Sequence, residues 1–150
     1  MNRFRLLALL LLLGMNQMAA AEELLMARIT RPFPEAMNNL QETIRAKGYV
    51  VSRVQRVDVG LTTSGFPTAE YRIVFFGKQA EIRELSAAYP ELIPYLPLTI
   101  VVFAEGDDTL VLTTDPLKLG GFFNKPELLA RFGAWEKDVR AIFDEVARSP

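Results

Sequence analysis

Residues 96–116 have the sequence Leu-Pro-Leu-Thr-Ile-Val-Val-Phe-Ala-Glu-Gly-Asp-Asp-Thr-Leu-Val-Leu-Thr-Thr-Asp-Pro. The runs 98–105 and 109–114 are rich in β-branched and other apolar residues, and Gly106-Asp107-Asp108 between them is a turn sequence. Pro97 and Pro116 bracket the two runs, where a missing N–H is tolerated because the hydrogen-bond ladder begins or ends there. The stretch therefore predicts a β-hairpin, which is a scaffold element without chemistry of its own.

The first 21 residues have the three parts of a secretory signal peptide. Arg3 and Arg5 form a basic start, residues 6–13 are apolar, and three alanines that end at Ala21 provide a small-residue cleavage site. The apolar run is shorter than the roughly 20 residues that a membrane span needs. We predict cleavage after Ala21, a periplasmic or secreted location, and no stable membrane span after cleavage. An uncleaved anchor is the alternative.

The composition excludes several kinds of chemistry. The 150-residue chain has no Cys and no His, so it has no thiolate nucleophile, no Ser-His-Asp triad and no ordinary zinc or copper ligands. Loss of Arg3 and Arg5 from the 17 basic residues leaves 15 against 18 acidic residues, a net charge of −3. This balance disfavours nucleic-acid binding, which needs a basic surface. We predict no metal site, no cofactor and no nucleic-acid partner.

Hydrophobic periodicity organises residues 22–150 into one domain. The first half predicts a strand at 24–30, a helix that begins at Pro34 and ends at Gly48, a strand at 49–59 in which a bulge is possible, a polar loop at 60–68 and a strand at 70–76. In the last of these, Tyr71, Ile73 and Phe75 lie on one face, and Arg72, Val74 and Phe76 lie on the other. Apolar side chains thus stand on both faces of this strand, which suggests a central strand or a second face covered by a partner.

The second half contains the hairpin and the longest helix. It predicts a short helix at 77–89, a stiff extended connector at 90–97, the hairpin, an apolar loop at 117–123 and a final helix from Pro126. The order is thus β-α-β-β-(short α)-β-β-α. It predicts an α+β two-layer sandwich, in which two main helices cover one face of a single antiparallel sheet.

Several short strings in this order resemble one family. They are Lys47-Gly48-Tyr49, the strand at 69–76, Tyr95-Leu96-Pro97, the run 113–117 and Asn124-Lys125-Pro126-Glu127-Leu128. Together they are similar to the DUF302 family, and the resemblance covers nearly the whole chain after the signal. It implies a compact α+β fold with a curved antiparallel sheet, often dimeric, and no assigned activity; periplasmic or secreted members are known. Members often carry two cysteines where this chain has Gly77 and Leu98, so a thiol role is absent here.

Two groups of residues are candidates for function. Aromatic side chains near glycine-containing loops and on the last helix could line a site for an apolar ligand, although ordinary core closure would use the same residues. The candidate ligand-binding residues are Phe66, Tyr71, Phe122, Phe123, Phe132 and Trp135. The second group is acidic, with Glu105, Asp107 and Asp108 at the hairpin turn and Asp115 expected nearby if the hairpin strands pair. Such carboxylates could serve acid–base chemistry or hold a hard cation, but a solvated turn needs the same residue types.

The sequence favours a non-enzymatic binding or interaction domain, since it contains many apolar residues and no catalytic constellation. We expect a homodimer whose cleft between sheet and helix, or whose exposed strand edge, engages a small apolar ligand or a periplasmic protein. The alternative is a hydrolase-like or cation-dependent enzyme that uses carboxylates and Tyr71. A chaperone-like accessory protein is a third hypothesis.

Overall fold

The computed structural model describes residues 23–149, so the signal segment predicted at 1–21 lies outside the described residues. Five strands and four α-helices follow one another in this part of the chain. They are β1 (Leu24–Ile29), α1 (Phe33–Ala46), β2 (Val50–Arg56), α2 (Val57–Thr63), β3 (Tyr71–Gly77), α3 (Gln79–Ala88), β4 (Leu98–Glu105), β5 (Asp108–Thr114) and α4 (Pro126–Arg148). Short 3-10 helices occupy Pro90–Tyr95 and Pro116–Gly121. Among residues 23–149, no helix has the length and apolar character that crossing a membrane requires.

The five strands form one antiparallel sheet with the order β1-β5-β4-β3-β2. The predicted hairpin is β4 and β5, which pair from Val101 with Leu112 to Glu105 with Asp108, and Gly106 supplies a positive φ of 63° at the turn. The hairpin lies in the middle of the sheet, and β1 and β2 are its edges. The predicted irregularity in β2 is a register shift between Val51 and Arg53.

One face of the sheet carries the main hydrophobic core. Helices α1 and α4 cover this face, as the sequence predicts, and the α+β two-layer sandwich is confirmed. The sheet contributes the fully buried residues Ile29, Val74, Phe76, Ile100, Val102 and Val111, and the helices contribute Leu40, Ile44, Ile142 and Val146 among others. A second, smaller apolar cluster joins α3 and the two 3-10 helices to the first half of α4. Leu98 packs against both clusters.

Three segments differ from the sequence-based prediction. The strand predicted at 49–59 ends at Arg56, and residues 57–63 form α2 rather than strand and loop, because Asp58 in its first turn pairs with Arg72. The connector predicted as extended forms the 3-10 helix Pro90–Tyr95 instead. Pro90 suits the first position of this helix, where a backbone N–H would have no partner, and the helix buries Leu92. The apolar loop at 117–123 is largely the second 3-10 helix.

The other face of the sheet has no covering layer among the described residues, and we call it the open face. Its side chains are the ones that alternate with the core residues along each strand, and the strand register places them opposite one another. Its apolar members include Met26, Tyr71, Ile73, Phe75, Val101, Phe103, Leu110 and Leu112, none of which is buried. The alternation predicted for Tyr71, Ile73 and Phe75 is thus seen in the fold.

Candidate functional site

A cleft of about 360 Å³ opens where β4 begins and β5 ends. Most of its lining is apolar and comes from segments that are far apart in the sequence. The apolar lining residues are Phe75, Pro94, Tyr95, Leu96, Pro97, Leu98, Pro116, Leu119, Phe122 and Val139, and the polar ones are Thr99, Thr113, Thr114, Asp115 and Lys118. The cleft therefore lies at the foot of the hairpin, where the sheet meets the middle of α4.

The cleft exists because the two hairpin strands separate at this end. Their backbone pairing stops at Val101 and Leu112. Beyond that pair, toward the foot of the hairpin, Oγ1 of Thr113 donates a hydrogen bond to the carbonyl oxygen of Thr99 over 2.6 Å. One wall is the chain that leads into β4 through the cis Leu96–Pro97 peptide. The other wall is the 3-10 helix Pro116–Gly121.

Asp115 holds this second wall in place. The backbone N–H of Leu117 donates to Oδ1 of Asp115 over 2.9 Å, which caps the first turn of the 3-10 helix. The side chain of Asp115 is only 6% exposed. Lys118 follows on the same helix and also lines the cleft, and no carboxylate of residues 23–149 lies within ion-pair distance of it. The cleft lining thus includes one carboxylate and one amino group.

A row of aromatic rings connects the cleft lining with the smaller apolar cluster. Tyr95 meets Phe123 edge to face with ring centres 5.5 Å apart, Phe123 lies 6.1 Å from Phe132, and Phe132 lies 5.6 Å from Trp135. The last three rings belong to the smaller apolar cluster. Phe122 is different, because its ring is 76% exposed and stands at the rim of the cleft. The cleft therefore has a packed aromatic wall and a largely exposed phenylalanine at its mouth.

The structure brings only part of the predicted aromatic set to the cleft. Phe122 lines it, whereas Phe123, Phe132 and Trp135 are buried behind the wall. Tyr71 lies on the open face and packs edge to face against Phe103, and Phe66 is 68% exposed in the loop before β3. A binding role for these residues stays a prediction.

Sequence reasoning missed many of the lining residues, among them Pro94, Leu96, Pro97, Thr99, Thr113, Thr114 and Lys118. The available signal was the pair of prolines that brackets the hairpin. Antiparallel pairing brings the start of β4 close to the end of β5, so Pro97 and Pro116 had to lie near each other.

The acidic residues predicted as a second candidate group do not all lie close together. At the hairpin turn, Arg28 forms ion pairs with Glu105 and, at 3.2 Å, with Asp108. Asp115 lies at the opposite end of β5, seven residues and about 23 Å away along the strand, so the expectation that it lies near the turn is wrong. In residues 23–149, no three Asp or Glu side chains form a group that could hold a metal ion.

These observations define a small α+β domain with an apolar cleft at the foot of its central hairpin and an uncovered sheet face. Residues 26–146 match the DUF302 family, a domain of unknown function, and the chain belongs to that family. The crystal structure of an uncharacterized conserved protein DUF302 from Bacillus stearothermophilus superposes with a TM-score of 0.77 at 21% sequence identity, over 84% of this chain and 99% of that one. At this identity the likeness shows a shared fold. No curated protein matches the chain.

Proposed function

We propose that this DUF302 domain is a non-enzymatic binding protein whose cleft holds a small, mainly apolar molecule. The observation that carries the proposal is the cleft lining, in which ten of fifteen residues are apolar. A volume of about 360 Å³ falls within the range of about 300–1,000 Å³ found for small-molecule sites. A fitting ligand has an apolar body that lies against Phe122 and a polar group that reaches Lys118 or Asp115.

The cleft walls favour binding by a preformed site. One wall is fixed by the bond from Leu117 to Asp115, and the other is supported by the ring contact between Tyr95 and Phe123. A site whose walls are held in the absence of ligand loses little conformational entropy when the ligand enters. Phe122 is the most exposed large side chain of the lining, so its ring can adapt to the ligand.

The test compares ligand binding by variants at two exposed phenylalanines, Phe122 in the cleft lining and Phe66 in the loop before β3. The anionic fluorophore 1-anilinonaphthalene-8-sulfonate is titrated into the wild type, Phe122→Ala and Phe66→Ala, and decanoic acid is then used to displace it. We expect saturable binding to the wild type, at least about tenfold weaker binding to Phe122→Ala, which is a loss of about 1.4 kcal/mol, and no change in Phe66→Ala. Equal weakening in both variants, or no saturable binding at all, would refute the proposal.

An enzyme is the second candidate, and one observation favours it. Asp115 is nearly buried and lines the cleft, whereas Asp107 is exposed and Asp108 pairs with Arg28. Tyr71 cannot serve as its partner from its position, because it lies four residues along β3 from the cleft residue Phe75, about 13 Å away. Asp115→Asn should abolish turnover of any ester or amide that the wild type hydrolyses, and absence of turnover across such a panel argues against this candidate.

We also propose that the protein acts after export, with residues 1–21 removed. The support is the basic start, the apolar run and the three alanines of the N-terminal segment. Expression in a Gram-negative host should give a periplasmic protein whose mass lacks these residues. An intact chain in the cytoplasmic fraction, or one retained in the membrane fraction, would contradict this proposal.

A further inference from the structure

The carboxylate of Asp115 lines the cleft although the residue is only 6% exposed. Its Oδ1 accepts the backbone N–H of Leu117 over 2.9 Å, whereas Oδ2 accepts no hydrogen bond from residues 23–149, and no lysine or arginine of these residues pairs with it. Among the same residues, no buried side-chain oxygen is without a partner, so Oδ2 keeps contact with solvent. A buried charge is stabilised only when it is paired or hydrogen-bonded. This oxygen is therefore open to a donor from a ligand.

Lys118 brings the opposite charge to the same wall of the cleft. Its backbone N–H donates to the carbonyl oxygen of Asp115 over 3.0 Å. Side chains three residues apart in a 3-10 helix lie one above the other, about 6 Å apart along the axis. Within residues 23–149, the two charged groups form no ion pair with each other. They are the only charged residues among the fifteen that line the cleft, so the lining has no net charge.

We infer that the cleft binds a free amino acid with a large apolar side chain, an inference that rests on the proposed function. The ammonium group of such a ligand pairs with Asp115, and its carboxylate pairs with Lys118. These two groups are attached to one carbon atom, so they can reach partners that are one helical turn apart. An aromatic side chain fits best, because its ring can form an edge-to-face or offset contact with the exposed ring of Phe122.

Ligands with a single charge match this lining less well. An apolar acid pairs with Lys118 but brings its carboxylate close to that of Asp115. An apolar amine pairs with Asp115 but leaves Lys118 without an anion. An unpaired charge costs more in a cleft that the ligand closes to water than at an open surface. An anionic dye or fatty acid still enters the cleft through its apolar body, but it should bind less tightly than a zwitterion of equal apolar size.

The first experiment compares three compounds that share the same phenyl ring and carbon chain. L-Phenylalanine carries both charged groups, 3-phenylpropionate carries only the carboxylate, and 2-phenylethylamine carries only the ammonium group. Isothermal titration calorimetry of the wild type at neutral pH should show that phenylalanine binds at least about tenfold more tightly than either of the other two. Equal affinity for the three compounds, or tighter binding of a singly charged one, would overturn the inference.

The second experiment assigns each part of this preference to one side chain. In Lys118→Gln we expect phenylalanine to bind no more tightly than 2-phenylethylamine, and in Asp115→Asn no more tightly than 3-phenylpropionate. Asparagine keeps the oxygen that accepts the N–H of Leu117, so the wall stays capped. Lys137→Gln is the matched control, because Lys137 is exposed on α4 and does not line the cleft. A preference that survives both cleft substitutions, or that Lys137→Gln also removes, would contradict the assigned pairing.

The dye titration described above distinguishes failure of this inference from failure of the proposed function. Saturable binding of 1-anilinonaphthalene-8-sulfonate that Phe122→Ala weakens, together with no preference for phenylalanine, would refute the amino acid as ligand and leave the apolar binding site standing. No saturable binding of the dye, together with no heat of binding from any of the three compounds, would refute both.

Discussion

The hydroxyl of Tyr49 donates a hydrogen bond to Oδ2 of Asp138 over 2.7 Å and so joins the start of β2 to the middle of α4. Lys78 completes the contact, with Nζ 3.4 Å from the same carboxylate oxygen and 4.4 Å from the centre of the Tyr49 ring. Phe76 packs edge to face with that ring. The pKa of Tyr49 is raised far above its ordinary value of 10.0. Burial is the largest cause, and the hydrogen bond to Asp138 is the second.

Tyr49→Phe should therefore lower stability at neutral pH and change its dependence on alkaline pH. The lost hydrogen bond leaves Asp138 with Lys78 alone, and we expect a loss of about 1–2 kcal/mol in the free energy of unfolding. Because the folded chain keeps Tyr49 neutral while the unfolded chain ionises it near pH 10, this contribution is present below pH 10 and is lost as the pH rises above it. Urea denaturation of the wild type and Tyr49→Phe should give a difference that narrows above pH 10. A constant difference would contradict this account.

The ion pair between Arg72 and Asp58 should stabilise the folded protein at neutral pH and lose this stabilising effect in acid. The two side chains are only 11% and 13% exposed, and the Arg72 guanidinium also lies 5.3 Å from the centre of the Phe33 ring. Burial opposes ionisation of Asp58, but the hydrogen bond and charge of Arg72 outweigh it and hold its pKa below the ordinary 3.8. This stabilisation is present above pH 3.8 and is lost as the pH falls through the lowered pKa.

Asp58→Asn leaves the guanidinium of Arg72 without its carboxylate, so it should destabilise the protein at neutral pH. The difference from the wild type should shrink below pH 3.8, measured by urea denaturation at each pH. Asp107→Asn is the control, because Asp107 is exposed at the hairpin turn. Similar effects from both substitutions would show that the ion pair contributes nothing specific.

Two phenylalanines that are neighbours in the cleft region should differ in their contributions to stability. Phe132 is fully buried in the smaller cluster, so Phe132→Ala leaves a cavity and should cost about 3–5 kcal/mol. Phe122 stands exposed at the rim, and Phe122→Ala should cost less than about 0.5 kcal/mol. Thermal unfolding followed by circular dichroism measures both. Comparable losses would mean that Phe122 is part of the core and unsuited to the ligand test.

Two glycines should respond to alanine with opposite signs. Gly48 follows α1 with a φ of 80°, and no atom lies within 4 Å of the position that a Cβ would occupy, so the cost of Gly48→Ala is backbone strain of about 1 kcal/mol. Gly60 also has open space but lies inside α2 without a positive φ, so Gly60→Ala should stabilise by about 0.5–1 kcal/mol. Chemical denaturation of both variants measures the sign and size of each change in the free energy of unfolding. Stabilisation by Gly48→Ala would contradict the assigned backbone geometry.

The local sequence pattern was sufficient to predict the long elements, but it was misleading where a tertiary contact determines the backbone conformation. The hairpin and α4 were predictable because alternation and helical spacing persist over many residues. The helix α2 was not, because Val57 and Val59 continue the alternation of β2 while the pairing of Asp58 with Arg72 draws the chain into a turn. No local signal reveals a contact between residues 14 positions apart.

The cleft was still harder to predict, because it is assembled from distant segments. Phe122 was identified from its position beside two glycines, but Phe123 at the next position faces the core. Leu96, Thr113 and Val139 meet only after the sheet and α4 have packed. The open face was easier, since strict alternation in β3 shows two apolar faces before any partner strand is known.

The position of Trp135 gives the protein a local optical reporter. It is the only tryptophan of the chain, and it lies in the smaller cluster behind the cleft wall, where its indole N–H donates to Glu81 over 3.1 Å. Its fluorescence therefore follows the packing behind the cleft, whereas far-ultraviolet circular dichroism follows the helices and the sheet as a whole. Without any added label, spectroscopy can thus separate an event at the cleft from one in the rest of the domain.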